Sequence, residues 1–121
     1  MKYKRLPEAE LEIMLVLWES EGQAKSDYIM EKMKKDWVKP TLLNLLSRLE
    51  ERGFVEVTKQ GRNNVYNALV DREEYLEQET AGFLDKLYSG SLKKMVATLY
   101  DGKKVSKSDL AELEEYIKSA K

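Results

Sequence analysis

The sequence predicts a mainly α-helical chain with one small β-hairpin, and three observations predict it. Leu42, Leu45, Leu46 and Leu49 recur at the i, i+3, i+4, i+7 spacing that buries one side of a helix. Directly after Gly53 the apolar period changes to two, over 54–59 and 65–69, on either side of the polar stretch Gln60-Gly61-Arg62-Asn63-Asn64. From Asp71 the period is helical again.

The first helix is expected to start at Pro7, which suits a first helical position, with Glu8, Glu10 and Glu12 near its positive end. Leu11, Ile13, Met14, Leu15, Leu17 and Trp18 are too many apolar residues for one face, so this helix should be the central packing element. Gly22 stops it. A second helix begins near Ser26 or Asp27, either suited to capping its free amides, carries Ile29, Met30 and Met33, and closes at Lys34-Lys35-Asp36. The third starts around Pro40 and ends at Arg52-Gly53, where glycine accepts the left-handed conformation. Three helices followed by a hairpin, with about four residues between the second and third, form a winged helix-turn-helix.

Residues 1–70 are therefore read as a winged-helix domain and 71–121 as a helical domain. In the second part, Asp71 and Glu74 have capping-box spacing ahead of a stripe of Leu76, Thr80, Phe83, Leu84 and Leu87. Ser89-Gly90-Ser91 breaks it, and Leu92, Met95, Val96 and Leu99 stripe a short helix ending at Asp101-Gly102. Ser106 and Asp109 repeat the cap spacing before Leu110, Leu113, Tyr116 and Ile117. Short helices cannot bury all of these against one another, and each apolar side chain left in water forgoes about 1.5–3 kcal/mol. The expectation is a homodimer sharing Leu76, Phe83, Leu84, Leu87, Met95, Leu99, Leu113 and Ile117. The alternative is that this segment folds back on the first domain.

Composition narrows the chemistry. Hydrophobic residues at 42% and charged residues at 36% allow both a core and solubility. With neither cysteine nor histidine in the chain, disulfides, thiolate nucleophiles, the commonest general base and the commonest metal ligands are all excluded. The expectation is no enzyme, no cofactor and no metal. No apolar run approaches the roughly 20 residues of a membrane span. No apolar stretch follows Lys2, Lys4 and Arg5 as a secretory signal would need, so the expected location is cytoplasmic. The formal net charge is −1, yet residues 22–70 carry nine Lys/Arg against six Asp/Glu, a mildly basic middle between acidic flanks.

Around the third helix, the side opposite its leucine stripe holds Pro40, Leu43, Asn44, Ser47, Arg48 and Glu51. Asn44 suits paired hydrogen bonds to adenine and Leu43 suits a thymine methyl. Thr41 and Ser47 suit base edges or phosphates, and Arg48 suits a phosphate or guanine. Leu43 argues against an ordinary solvated face, having no core to join there. Lys59, Arg62, Asn63 and Asn64 at the wing, and Lys39 with Lys25, Lys34 and Lys35 at the flank, are candidate backbone contacts. Double-stranded DNA is the expected partner.

These residues also carry a resemblance. Leu6-Pro7-Glu8-Ala9-Glu10 leading to Ile13-Met14 and Leu17-Trp18 is one part of it, and Thr41 followed by Leu45-Leu46-Ser47-Arg48-Leu49 and Gly53 is another. Gly61-Arg62 with Tyr66, the run 83–91, and Leu110-Ala111-Glu112-Leu113 complete it. On them the chain resembles the penicillinase-repressor and methicillin-resistance-repressor (BlaI/MecI-like) family of transcriptional repressors. The resemblance implies a homodimeric repressor whose N-terminal winged helix binds a two-fold-symmetric operator and whose C-terminal helices dimerise. It also implies regulation by a membrane sensor-protease system that leads to a cut at an Asn-Phe pair in the dimerisation segment. The matching position here is Thr98-Leu99, so that signature is missing. The copper branch of the family carries paired C-terminal cysteines, which this chain lacks. Leu43 stands where relatives often have a basic residue, so the contacted base pair is expected to differ. Two other readings remain: a winged-helix protein-interaction module, and an effector-gated regulator with a small-molecule pocket among Phe83, Tyr88 and Tyr100.

Overall fold

The computed structural model describes residues 2–120, which form six helices and three strands. They divide into two compact units, one up to Gln78 and one from Glu79 onward.

Helix α1 (Glu8–Glu19) seats Ile13, Met14 and Leu17 with no exposed surface, and Leu11, Val16 and Trp18 pack half-buried beside them. It is the central element expected. Pro7 stands just outside, as the cap residue with ψ 153°, while its carbonyl accepts the first helical bond from Leu11 N–H at 3.0 Å. The expectation that Pro7 begins the helix is corrected by that extended ψ. The helix ends before Gly22: Glu21 and Gly22 take φ of 61° and 82°, turning the chain back. That turn starts a strand the sequence reading lacked. β1 (Gln23–Lys25) pairs antiparallel with β3 (Asn63–Ala68), Ala24 opposite Tyr66.

β1 runs straight into α2 (Ser26–Met33), so the boundary residue is Lys25, with no side-chain cap; Ser26 already lies inside the helix. The expected Ser26 or Asp27 cap is thereby corrected. Ile29 and Met33 face the core, and Lys34 at φ 53° ends the helix. Residues 34–38 lead to α3 (Lys39–Glu51), whose Leu42, Leu46 and Leu49 are fully buried. Gly53 at φ 79° terminates it as expected, with Phe54 N–H returning to the Leu49 carbonyl at 2.9 Å.

β2 (Val55–Gln60) pairs with β3 in a sheet of order β1-β3-β2, and Gln60 faces Asn63 across the two-residue turn Gly61-Arg62. Gly61 at φ 63° supplies the positive angle that the first position of such a turn needs. The expected five-residue loop is therefore too long, since Gln60, Asn63 and Asn64 all belong to strands.

Helix α4 (Arg72–Tyr88) begins inside this unit. Tyr75 is completely buried, with ring centroids 5.5 Å from Phe54 and 5.9 Å from Trp18. Its hydroxyl accepts from Leu6 N–H at 2.8 Å. The unit consequently runs on to Gln78, beyond the division at 70/71 drawn from the sequence. Asp71 caps the helix through Glu74 N–H at 3.1 Å, but the Glu74 carboxylate turns to Tyr3 and Lys2 instead of closing the expected box.

The second unit holds the rest of α4, α5 (Leu92–Asp101) and α6 (Lys107–Ser119). Ser91 caps α5, and Ser106 with Asp109 forms the full reciprocal box on α6, as their spacing indicated. No described residue from Glu79 onward is buried.

Candidate nucleic-acid interface

The leucines that lock α3 into the core decide what its other side presents. With Leu42, Leu46 and Leu49 inward, Pro40, Leu43, Asn44, Ser47, Arg48 and Glu51 are exposed, and Thr41 is half-buried. Asn44 and Arg48 stand one turn apart, so they share one flank with Ser47 between them. Leu43 is 39% exposed, an apolar group held out of the core. Val38 and Tyr28, which the sequence reading did not single out, are also exposed and apolar. Val38 lies in the connector before α3, where no periodic pattern marks it, and Tyr28 lies in α2 off its buried side.

The cations divide into engaged and free. Lys39 pairs with Asp27 at 3.0 Å and Lys35 with Glu12 at 3.4 Å. Arg48, Lys59 and Arg62 form no ion pair with any described residue. On the wing, Lys59 lies directly opposite Asn64, so those two share one face of the ribbon, while Asn63 alternates to the other. All of Lys59, Arg62, Asn63 and Asn64 are exposed. The flank and wing thus offer amide, hydroxyl, apolar and cationic groups on rigid supports, a mixture suited to base edges and phosphates.

Two features behind this surface escaped the sequence reading. Glu10 is fully buried and receives Arg52 Nε–H at 2.9 Å. Its place one turn before Ile13 and Met14, on the buried stripe of α1, was the available signal. The second is the arm before α1. Tyr3 N–H donates to Gln78 Oε1 at 2.9 Å, and Gln78 Nε2 donates back to the Tyr3 carbonyl at 2.7 Å. The Tyr3 hydroxyl, and then the Lys2 ammonium, hold the Glu74 carboxyl below the usual carboxylate range.

In the second unit, Phe83, Leu87 and Ile117 are exposed at 48%, 59% and 58%, whereas Leu84, Met95, Leu99 and Leu113 are half-buried. Leu76 packs against the core of the first unit. The Phe83 and Tyr88 rings touch, with centroids 6.1 Å apart, but Tyr100 lines a separate cleft at the α5–α6 turn that neither of them lines. The three aromatics do not line that cleft together. Thr98 and Leu99 lie in the last turns of α5, the Thr98 hydroxyl donating to the Lys94 carbonyl.

The sequence profile described as penicillinase repressor matches residues 6–119. This chain belongs to the penicillinase repressor family. Among curated members, the penicillinase repressor of Bacillus licheniformis is 30% identical over 121 residues, covering 99% of this chain and 94% of its own length. The methicillin resistance regulatory protein MecI of Staphylococcus aureus (strain N315) is 26% identical over 113 residues, covering 93% and 92%. A solved member is Bacillus licheniformis BlaI, monomeric and in complex with the blaP half-operator. It is 28% identical, with a TM-score of 0.52 over 61% of this chain and 92% of that one. The winged-helix architecture of the family is the fold described above.

Proposed function

We propose that this protein is a transcriptional repressor that binds double-stranded DNA as a homodimer, one winged helix on each half of a two-fold operator. The observation that carries the reading is the outward flank of α3. Leu43, Asn44, Ser47 and Arg48 are exposed on a helix whose opposite side is fully buried. A family member of the same fold has been solved on a half-operator, which supports placing this flank in the major groove. Exposed Phe83, Leu87 and Ile117, in a unit with nothing buried among its described residues, support the C-terminal helices as the dimerisation domain. Leu76 is left out of that interface because the first unit already covers it. No described helix is long and apolar enough to cross a membrane. The reading involves no catalytic step, cofactor or metal.

Selection of bound sequences from random duplex DNA tests this directly. The expected product is a pair of symmetric half-sites, bound less tightly as salt rises; absence of salt-dependent duplex binding overturns the reading. Within it, Asn44→Ala should relax base preference at one position per half-site and weaken specific binding by about 1–3 kcal/mol for each half-site. An operator scan with unchanged preference removes Asn44 from base contact. Arg62→Ala should lower affinity for all sequences alike and reduce the salt slope by about one ion per protomer, about two for the dimer on a full operator, read from binding isotherms across a salt series.

A further inference from the structure

Within the first unit, a cleft of about 530 Å³ opens between the N-terminal arm and the last turn of α3. Four of its lining side chains are cationic, Lys2, Lys4, Arg48 and Arg52, and one, Glu51, is acidic. Lys2 is engaged by Glu74 at 3.3 Å, while Lys4 and Arg48 form no ion pair among the described residues. Arg52 is held differently. Its Nε–H is fixed on the buried Glu10 carboxylate, and that single bond leaves most of a guanidinium's five donors for another acceptor. A planar fork positioned from behind by a buried acid suits an oxyanion with two oxygens to offer.

The arm is not a loose tail. The main chain of Tyr3 is tied to Gln78 in both directions, and Leu6 N–H is tied to Tyr75, so Lys4 sits between two anchored residues. Little backbone freedom remains to be lost when Lys4 takes up a charge partner. The cleft also begins where the exposed flank of α3 ends, since Arg48 belongs to both. A helix seated in the major groove leaves the bases at its end and meets the sugar-phosphate backbone.

We infer that this cleft seats one backbone phosphate of the bound duplex, with Lys4 and Arg48 as direct partners and Arg52 as a positioned donor. The inference rests on the DNA-binding reading, and adds the arm as a third contact beside helix and wing. Its test is the salt dependence of operator-duplex binding by the full chain, as wild type, Lys4→Gln and Arg48→Gln. Lys4 is exposed, so its substitution leaves folding intact. Lys4→Gln should weaken binding about three- to tenfold per protomer near 0.1 M salt, make the dimer's slope shallower by about 1.8, about 0.9 for each of its two seats, and leave base preference unchanged. Unaltered slopes in both variants, beside a salt-dependent wild type, overturn the phosphate seat and leave the DNA reading standing. A wild type that ignores duplex DNA overturns the reading itself. Inorganic phosphate titrated against the protein alone distinguishes the source of the anion. Saturation below about 1 mM that Lys4→Gln abolishes, together with an unchanged duplex slope, would assign the cleft to a free anion and overturn the backbone assignment.

Discussion

Replacing Arg52 with alanine is expected to cost the first unit about 3 kcal/mol of folding stability, because it strands a buried charge. Glu10 has no exposed surface, its Oε1 is bonded to Arg52 Nε at 2.9 Å, and its Oε2 has no hydrogen-bond partner among the described residues. Removing the guanidinium leaves that carboxylate with neither charge nor donor to offset its lost hydration. The Arg52 side chain is 31% exposed, so solvent softens the loss and the lower end of the usual 3–5 kcal/mol range applies, about 3 kcal/mol. Against a total of about 5–15 kcal/mol for a small domain, the change is large. Both tryptophans lie in this unit, Trp18 donating its ring N–H to the Val70 carbonyl at 2.9 Å, so fluorescence-monitored urea unfolding reads the right transition. The double variant Glu10→Leu with Arg52→Met should recover most of the loss, since it removes both polar groups and keeps the volume. A loss below about 1 kcal/mol in Arg52→Ala would show that the pair is screened like a surface one.

That pair also shows where reading the residues in order runs out. The leucines of α3, the glycine at its end, and the Ser106-Asp109 box were all legible, because each is a local pattern whose meaning does not depend on distant chain. β1 was not. Three residues carry no period, and what makes them a strand is the edge of β3 with Tyr66 opposite Ala24. Lys25 as the uncapped start of α2 follows from that pairing, not from any propensity of its own. Tyr75 reads as one more aromatic near the start of a helix until Phe54, Trp18 and the arm close around it. The α3 flank was legible as a face, by elimination from the leucine stripe. The arm's approach to that flank was not, since it depends on Gln78 and Tyr75 binding residues far earlier in the chain.

Leu87→Asp in the full-length chain is expected to give a monomer that still folds its winged helix and binds a full operator about a hundredfold or more weakly. Leu87 is 59% exposed, on the same face of α4 as Phe83, and Leu92 and Ile117 are exposed to a similar degree. In a two-fold dimer every substitution counts twice, so two half-exposed leucines lose their burial and two carboxylates enter an apolar contact. At about 1 kcal/mol for each forgone half-burial and more for each desolvated charge, the dimer weakens by at least about 4 kcal/mol, near a factor of a thousand. Two linked half-site contacts gain about 10²–10⁴ over one, and the monomer forfeits that gain. Binding to an isolated half-site should hardly change, because the α3 flank and wing are untouched. Sedimentation over a dilution series separates this from a segment that covers its own apolar face: self-association responds to concentration, and intramolecular folding does not. A dimer that survives Leu87→Asp and Phe83→Asp alike would move the interface off α4. A variant monomer that holds the full operator as tightly as wild type would remove the need for one.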